Sequence, residues 1–94
     1  MRVFFEFEAQ LRLAAGTDSQ VTETTEGSNL LDALKLLAAQ HGGELADRLL
    51  DENQKPRSGI LMFINNQPVA PTDIACQQLR ADDRILLFPP ISGG

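Results

Sequence analysis

The 94-residue chain reads as an α+β domain, in which one main helix packs on one face of a mixed sheet of four to five strands. Three observations predict this. Residues 2–10 alternate apolar and polar as a strand does. Residues 30–38 repeat apolar side chains at helical spacing. Two short apolar runs, "ILMFI" and "ILLF", then follow, separated by turn chemistry.

In the first strand Val3, Phe5, Phe7 and Ala9 share one side, and Arg2, Glu6, Glu8 and Gln10 the other, with Phe4 an apolar exception. "LAAG" closes at Gly16, and "TDSQ" turns the chain into the β-branched "QVTETT", so residues 2–25 read as a hairpin. Ser28 stands where a helix N-cap belongs. Leu30, Leu31, Leu34, Leu37 and Ala38 then define the buried face, with Asp32, Lys35 and the exceptional Leu36 outside, until Gly42-Gly43 stops the helix. "ELADRLL" suggests a further helical turn, and "DENQKPRSG" a loop. "ILMFI" suits a strand covered on both faces, or one whose second face binds something. Asn65-Asn66 can form a tight turn into "QPVAP", which its prolines confine to an edge. Residues 73–79 are a crossover, "ADDR" turns the chain, and "ILLF" is the last strand. The first and last strands carry the most Phe and Leu, so both belong at the centre, as parallel neighbours.

Composition narrows the function classes. The net charge of −5 argues against nucleic acid as a partner, because phosphate binding needs a positive surface. One cysteine cannot form an internal disulfide. The alternating N-terminus is unlike a signal peptide, and every apolar run is short of a membrane span. The expectation is a cytoplasmic protein with no membrane contact.

The sequence closes on "PPISGG". Residues 1–88 read as the domain and residues 89–94 as a flexible tail. Pro89 and Pro90 end the strand and hold extended geometry, projecting Ile91, Ser92, Gly93 and Gly94 off the sheet. Glycines without Cβ can enter a channel too narrow for side chains. The α-carboxylate of Gly94, ionised with a reference pKa of about 3.5, can attack the α-phosphorus of ATP. Positioning and charge stabilisation for that step would come from a partner enzyme.

These residues carry a resemblance. "FEAQLRLAAG", "SNLLDALKLLAAQHG", "FINNQPV" and "LRADDRILLFPPISGG" together resemble the MoaD/ThiS family of sulfur carriers, relatives of ubiquitin with the β-grasp fold. The Pro-Pro-x-x-Gly-Gly ending is similar above all to the small subunit of molybdopterin synthase. Asn66 and Asp82 occupy positions where the family usually has glycine, and both residue types tolerate left-handed backbone. The resemblance implies no bound cofactor. An adenylating enzyme related to ubiquitin-activating enzymes would use ATP to activate Gly94. A sulfur donor would convert the adenylate to a thiocarboxylate, and an acceptor such as the molybdopterin synthase large subunit would take the sulfur. The linker "ELADRLLDENQKPRSG" is longer than in the compact molybdopterin-type members. It resembles relatives serving cysteine synthesis, tRNA thiolation or protein modification, so the thiamine, cysteine and tRNA pathways and a lysine-linked modifier role stay open. An inert interaction domain is the weakest alternative.

Other residues read as structural. Cys76 suits a partly buried crossover position better than a sulfur relay, since no basic neighbour would lower its pKa. His41 suits the end of the helix, where a cation is favoured. Asp82 and Asp83 read as solvated turn carboxylates and not as a metal site. Phe4 should lie on the open face of the sheet, opposite Val3, Phe5 and Phe7. With Met62, Leu86 and Phe88 it is the candidate patch for docking partner enzymes.

Overall fold

The computed structural model describes residues 1–90. Five strands form one sheet: β1 (Arg2–Phe7), β2 (Ser19–Glu23), β3 (Leu61–Ile64), β4 (Gln67–Val69) and β5 (Arg84–Phe88). Their order across the sheet is β2-β1-β5-β3-β4. The first and last strands are central, as their apolar content predicts, and are parallel neighbours, Phe4 opposite Arg84 and Phe7 opposite Leu87. The other pairs are antiparallel, and β4, with Pro68, lies at an edge.

Strand alternation divides the sheet into two faces. Val3, Phe5, Phe7, Met62, Ile64, Ile85 and Leu87 are buried on one of them. Against this face packs α2 (Leu30–His41), through Leu30, Ala33, Leu34, Leu37 and Ala38. Leu31 is only partly buried, because it lies toward the rim of that stripe.

Two local readings are corrected. The helix N-cap is Asn29, not Ser28. The Asn29 side chain accepts the Asp32 N–H at 2.8 Å, while the Asp32 carboxylate accepts the Asn29 N–H at 3.3 Å, a reciprocal box that Ser28 could not form from one residue earlier. Ser28 instead donates its hydroxyl to the Thr25 carbonyl at 2.7 Å. The first strand also ends at Phe7 and not at residue 10. The chain turns at Ala9, with φ 50°, into a helix α1 (Gln10–Ala15), so the first two strands are not joined by a simple turn. Leu11 and Ala15, four residues apart, bury one side of α1, and Gly16, with φ 74°, ends it by donating its N–H to the Arg12 carbonyl at 2.9 Å. The expected extra turn is α3 (Gly43–Leu49), which buries Leu45 and Leu49.

The tight turns follow the residue chemistry. Asn65 and Asn66 adopt φ 49° and 73°, the two left-handed positions of a hairpin turn, and Asp82 adopts φ 68°. Asp83 departs from the solvated reading. It is buried, and its carboxylate accepts the Arg80 N–H and the Asn65 side-chain amide, both at 2.8 Å. The Asn65 side-chain Oδ1 accepts the Arg84 N–H at 3.0 Å, which ties the β3–β4 turn to the start of β5.

Among the described residues one buried side-chain oxygen has no hydrogen-bond partner, the hydroxyl of Thr22 on β2. Thr22 faces the core opposite Val3. Thr22→Val keeps the branched shape and removes the unpaired hydroxyl, so it should raise the unfolding free energy by about 1 kcal/mol, measured by urea denaturation.

Candidate functional site

The site has two parts, the lead-in to the tail and the outer face of the sheet. Ile91, Ser92, Gly93 and Gly94 lie outside the described residues. Pro89 and Pro90 follow directly on β5, the central strand, so the tail departs from the most anchored part of the sheet. Pro89 is half-buried and Pro90 exposed. Pro90 is nevertheless close to the domain. It lies against Gly59, where an added Cβ would come within 3.0 Å of the Pro90 Cβ.

Gly59 belongs to the loop between α3 and β3, and this loop is ordered by its own hydrogen bonds. The Asp51 carboxylate accepts the N–H of Asn53 at 2.8 Å and of Lys55 at 3.1 Å. Asp51 N–H donates to the Lys55 carbonyl at 2.8 Å, and Leu50 bridges Pro56 as an isolated antiparallel pair. Arg57 returns the chain to α3, its N–H on the Leu49 carbonyl at 2.9 Å and its guanidinium on the Asp47 carbonyl. The backbone N–H groups of Lys55 and then Asn53 hold the Asp51 carboxyl below its ordinary range, and Arg57 and Lys55 add to this by charge.

The outer face is open along its whole width. Phe4, Leu86 and Phe88 of the candidate patch lie on it, each half-buried. Met62 does not. It is 3 % exposed on the helix side, opposite Leu87, because the β3 register places even positions inward. Its outward neighbour Phe63 takes the surface place, with its ring 5.7 Å from that of Phe88 in an edge-to-face pair. Leu61 and Val21, 45 % and 50 % exposed, and Pro68 extend the apolar surface on either side. One ion pair crosses it, Arg84 to Glu6 at 3.0 Å, and fixes polarity at the β1–β5 seam. Sequence reasoning missed Phe63, because parity inside a short all-apolar strand is not visible until the partner strand is known. The Asn65-Asn66 turn sets only the β3–β4 pairing, with Phe63 opposite Pro68 and Met62 opposite Val69.

The remaining candidates stay outside this site. Cys76 is exposed, not partly buried, since the crossover after the 3-10 turn Pro71–Asp73 puts Ile74 and Leu79 into the core and turns Cys76 out. His41 ends α2 and its Nδ1 lies 3.1 Å from the Gln20 side-chain oxygen. No group of three metal-ligating side chains occurs among the described residues. Nor is any described helix long and apolar enough to cross a membrane.

Comparison with known proteins supplies the family context. The ThiS family model matches residues 5–94. The chain is 30 % identical over 95 residues to small archaeal modifier protein 3 of Haloferax volcanii, covering all of both chains. Its fold superposes on that of SAMP1 from Haloferax volcanii with a TM-score of 0.87 at 24 % identity, over the whole of both chains. A solution structure of the Haloferax volcanii HVO 2177 protein gives a TM-score of 0.83 at 26 % identity, covering all of this chain and 87 % of that one. The β-grasp fold implied by the sequence is therefore present.

Two outcomes test this geometry. Met62→Ala should cost about 2–5 kcal/mol of stability as a core truncation. Phe63→Ala should forfeit mainly its ring pair, about 0.5–1.5 kcal/mol. Chemical denaturation of both variants checks the face assignment, and equal losses would contradict it. The second outcome concerns pH. A depressed carboxylate contributes stability that is complete above its unfolded pKa, about 3.9, and lost as pH falls through the folded value. The amide proton shifts of Asn53 and Lys55 should therefore move together only below about pH 4, and Asp51→Asn should abolish that movement.

Proposed function

The chain belongs to the ThiS family of small ubiquitin-like sulfur carriers and modifiers, which are not themselves enzymes, and from that premise we propose that Gly94 is its reactive end. The observation that carries the proposal is the Pro-Pro-x-x-Gly-Gly ending placed directly after the central strand β5. A carboxylate oxygen of Gly94 attacks the α-phosphorus of ATP in an adenylating enzyme, and pyrophosphate leaves. Hydrosulfide, or a donor delivering sulfur at that oxidation level, then adds to the acyl carbon, and AMP leaves. The product is a thiocarboxylate that survives release and can be carried to an acceptor. The adenylate itself is reactive toward water, so the activating enzyme must shelter it until sulfur arrives.

The outer face supports this reading by offering Phe4, Phe63, Leu86 and Phe88 as one apolar surface for the enzymes that must hold the domain while they work on its tail. Within sulfur transfer, the likeness of the ending to the molybdopterin synthase small subunit favours a pterin precursor, held by the large subunit of that synthase, as acceptor. A second reading is favoured by the 30 % identical relative, which is named a modifier. There a lysine amine attacks the same adenylate, AMP leaves, and Gly94 becomes amide-linked to another protein.

One experiment separates the two. The protein is incubated with ATP, its adenylating enzyme and sodium sulfide, then weighed intact. A single oxygen-for-sulfur exchange, located at Gly94 by fragmentation and lost without ATP, is the outcome expected of a carrier. Lysine-linked conjugates with no thiocarboxylate at any sulfide concentration would assign the modifier role instead. A chain extended by one residue beyond Gly94 should fold with unchanged thermal stability and give neither product.

A further inference from the structure

The reading above requires the tail to reach an enzyme's reactive centre in a reproducible direction, and the following rests on it. We infer that Gly59 is a positioning residue: it seats Pro90 and thereby sets the direction in which the tail leaves the sheet.

Five glycines among the described residues have positive φ: Gly16, Gly27, Gly42, Gly43 and Gly59. At the first four an added Cβ would meet nothing within 4 Å, so their backbone angle alone accounts for glycine. Gly59 differs. With φ 89° its missing Cβ points at Pro90, at 3.0 Å from Cβ, 3.4 Å from Cγ and 3.5 Å from Cα. A side chain here would therefore press on the proline, in addition to the strain that φ 89° imposes on any residue with a Cβ.

The seat is firm on its own side. Ile60, the next residue, is buried in the core and donates its N–H to the Arg57 carbonyl at 3.3 Å. Arg57 is in turn tied to the end of α3, and Asp51 closes the preceding turn. Pro90 is exposed, so its contact with Gly59 buries little and contributes little to folding. Its effect is on direction. The two prolines have φ locked near −65°, which leaves the lead-in few ways to swing. A stop on one side removes some of those that remain. An enzyme that binds the sheet face and accepts the tail in one rigid geometry would gain from this, since less freedom is lost on binding.

The test is a double-mutant cycle of Gly59→Ala, Pro90→Gly and the pair, each assayed by ATP–pyrophosphate exchange with the adenylating enzyme and by thermal melting. Gly59→Ala should push the tail aside and raise KM for the carrier about fivefold, with kcat at saturating carrier within about twofold. Pro90→Gly should lose the seat without misdirecting the tail, raising KM about twofold. The pair should fall back to the Pro90→Gly value, while its melting temperature stays as low as that of Gly59→Ala. In the wild-type protein, nuclear Overhauser contacts should join the Gly59 Hα protons to the Pro90 Hβ protons. Multiplicative KM effects, an unchanged KM in Gly59→Ala, or absent contacts overturn the seat. If Gly59→Ala does not fold, Pro90→Gly with an unchanged KM does so alone. If wild-type protein supports no ATP–pyrophosphate exchange, adenylation of Gly94, which both readings require, is itself refuted, and this is seen before any variant is compared.

Discussion

The parallel pairing of β1 with β5 is the constraint on which the molecule depends. It joins the two ends of the sequence at the middle of the sheet, where each strand has a hydrogen-bonded neighbour on both sides. Every intervening element must fit between them: α2 crosses over the inner face, and β3 and β4 extend the sheet beyond β5. The pairing is sustained by a dense row of inward side chains, Val3, Phe5 and Phe7 beside Ile85 and Leu87, all close to fully buried. It is closed by backbone contacts at its start, with Phe4 N–H on the Asp83 carbonyl at 2.9 Å and Asp82 N–H on the Arg2 carbonyl at 2.7 Å. A parallel pair demands a long crossover, so this contact can form only after most of the chain is made.

That arrangement also explains why the outer face stays apolar. α1, α2 and α3 bury Leu11, Ala15, Leu45 and Leu49 with the inner face, and leave the other side of the sheet uncovered. A solvated face of an antiparallel sheet would ordinarily alternate to polar residues. Here Phe4, Phe63, Leu86 and Phe88 interrupt that alternation on β1, β3 and β5, beside Arg2, Glu6 and Arg84 on the two central strands β1 and β5, while Glu23 keeps it on β2. The apolar residues are thus concentrated beside the strand that leads into the tail. A partner covering them would sit against β5 and close to Pro89.

How far the sequence disclosed this depends on the strength of each local signal. The leucine spacing of α2, the Asn-Asn turn and the alternation of Val3, Phe5 and Phe7 are periodic or stereochemical, and each survives without tertiary context. The central position of β1 and β5 followed from their Phe and Leu content. α1 did not stand out, because six residues bury only Leu11 and Ala15, too few for a periodic pattern. Met62 was misassigned for a different reason: in "ILMFI" both faces are apolar, so only pairing with β5 decides which side chain enters the core. Asp83 was misread because its partners, Arg80 N–H and the Asn65 amide, come from residues 3 and 18 positions away. The contact of Gly59 with Pro90 spans the loop and the end of the sheet, and nothing in "RSGI" announces it.

Under the function proposed for Gly94, chemistry and stability would fall in different parts of the chain. A reactive carboxylate within the core would be desolvated and pushed toward its neutral, unreactive form. A carboxylate surrounded by water stays ionised at neutral pH. A reactive group outside a core must be oriented at each encounter, and the freedom lost there weakens binding. Two prolines recover part of the loss through their fixed φ. A loop tied to α3 by Arg57 and to the core by Ile60 can recover more, provided that one of its residues has no side chain where the second proline passes. Under the inference drawn above Gly59 is that residue, and the long segment between α3 and β3 would then help to present the tail and not merely connect two elements.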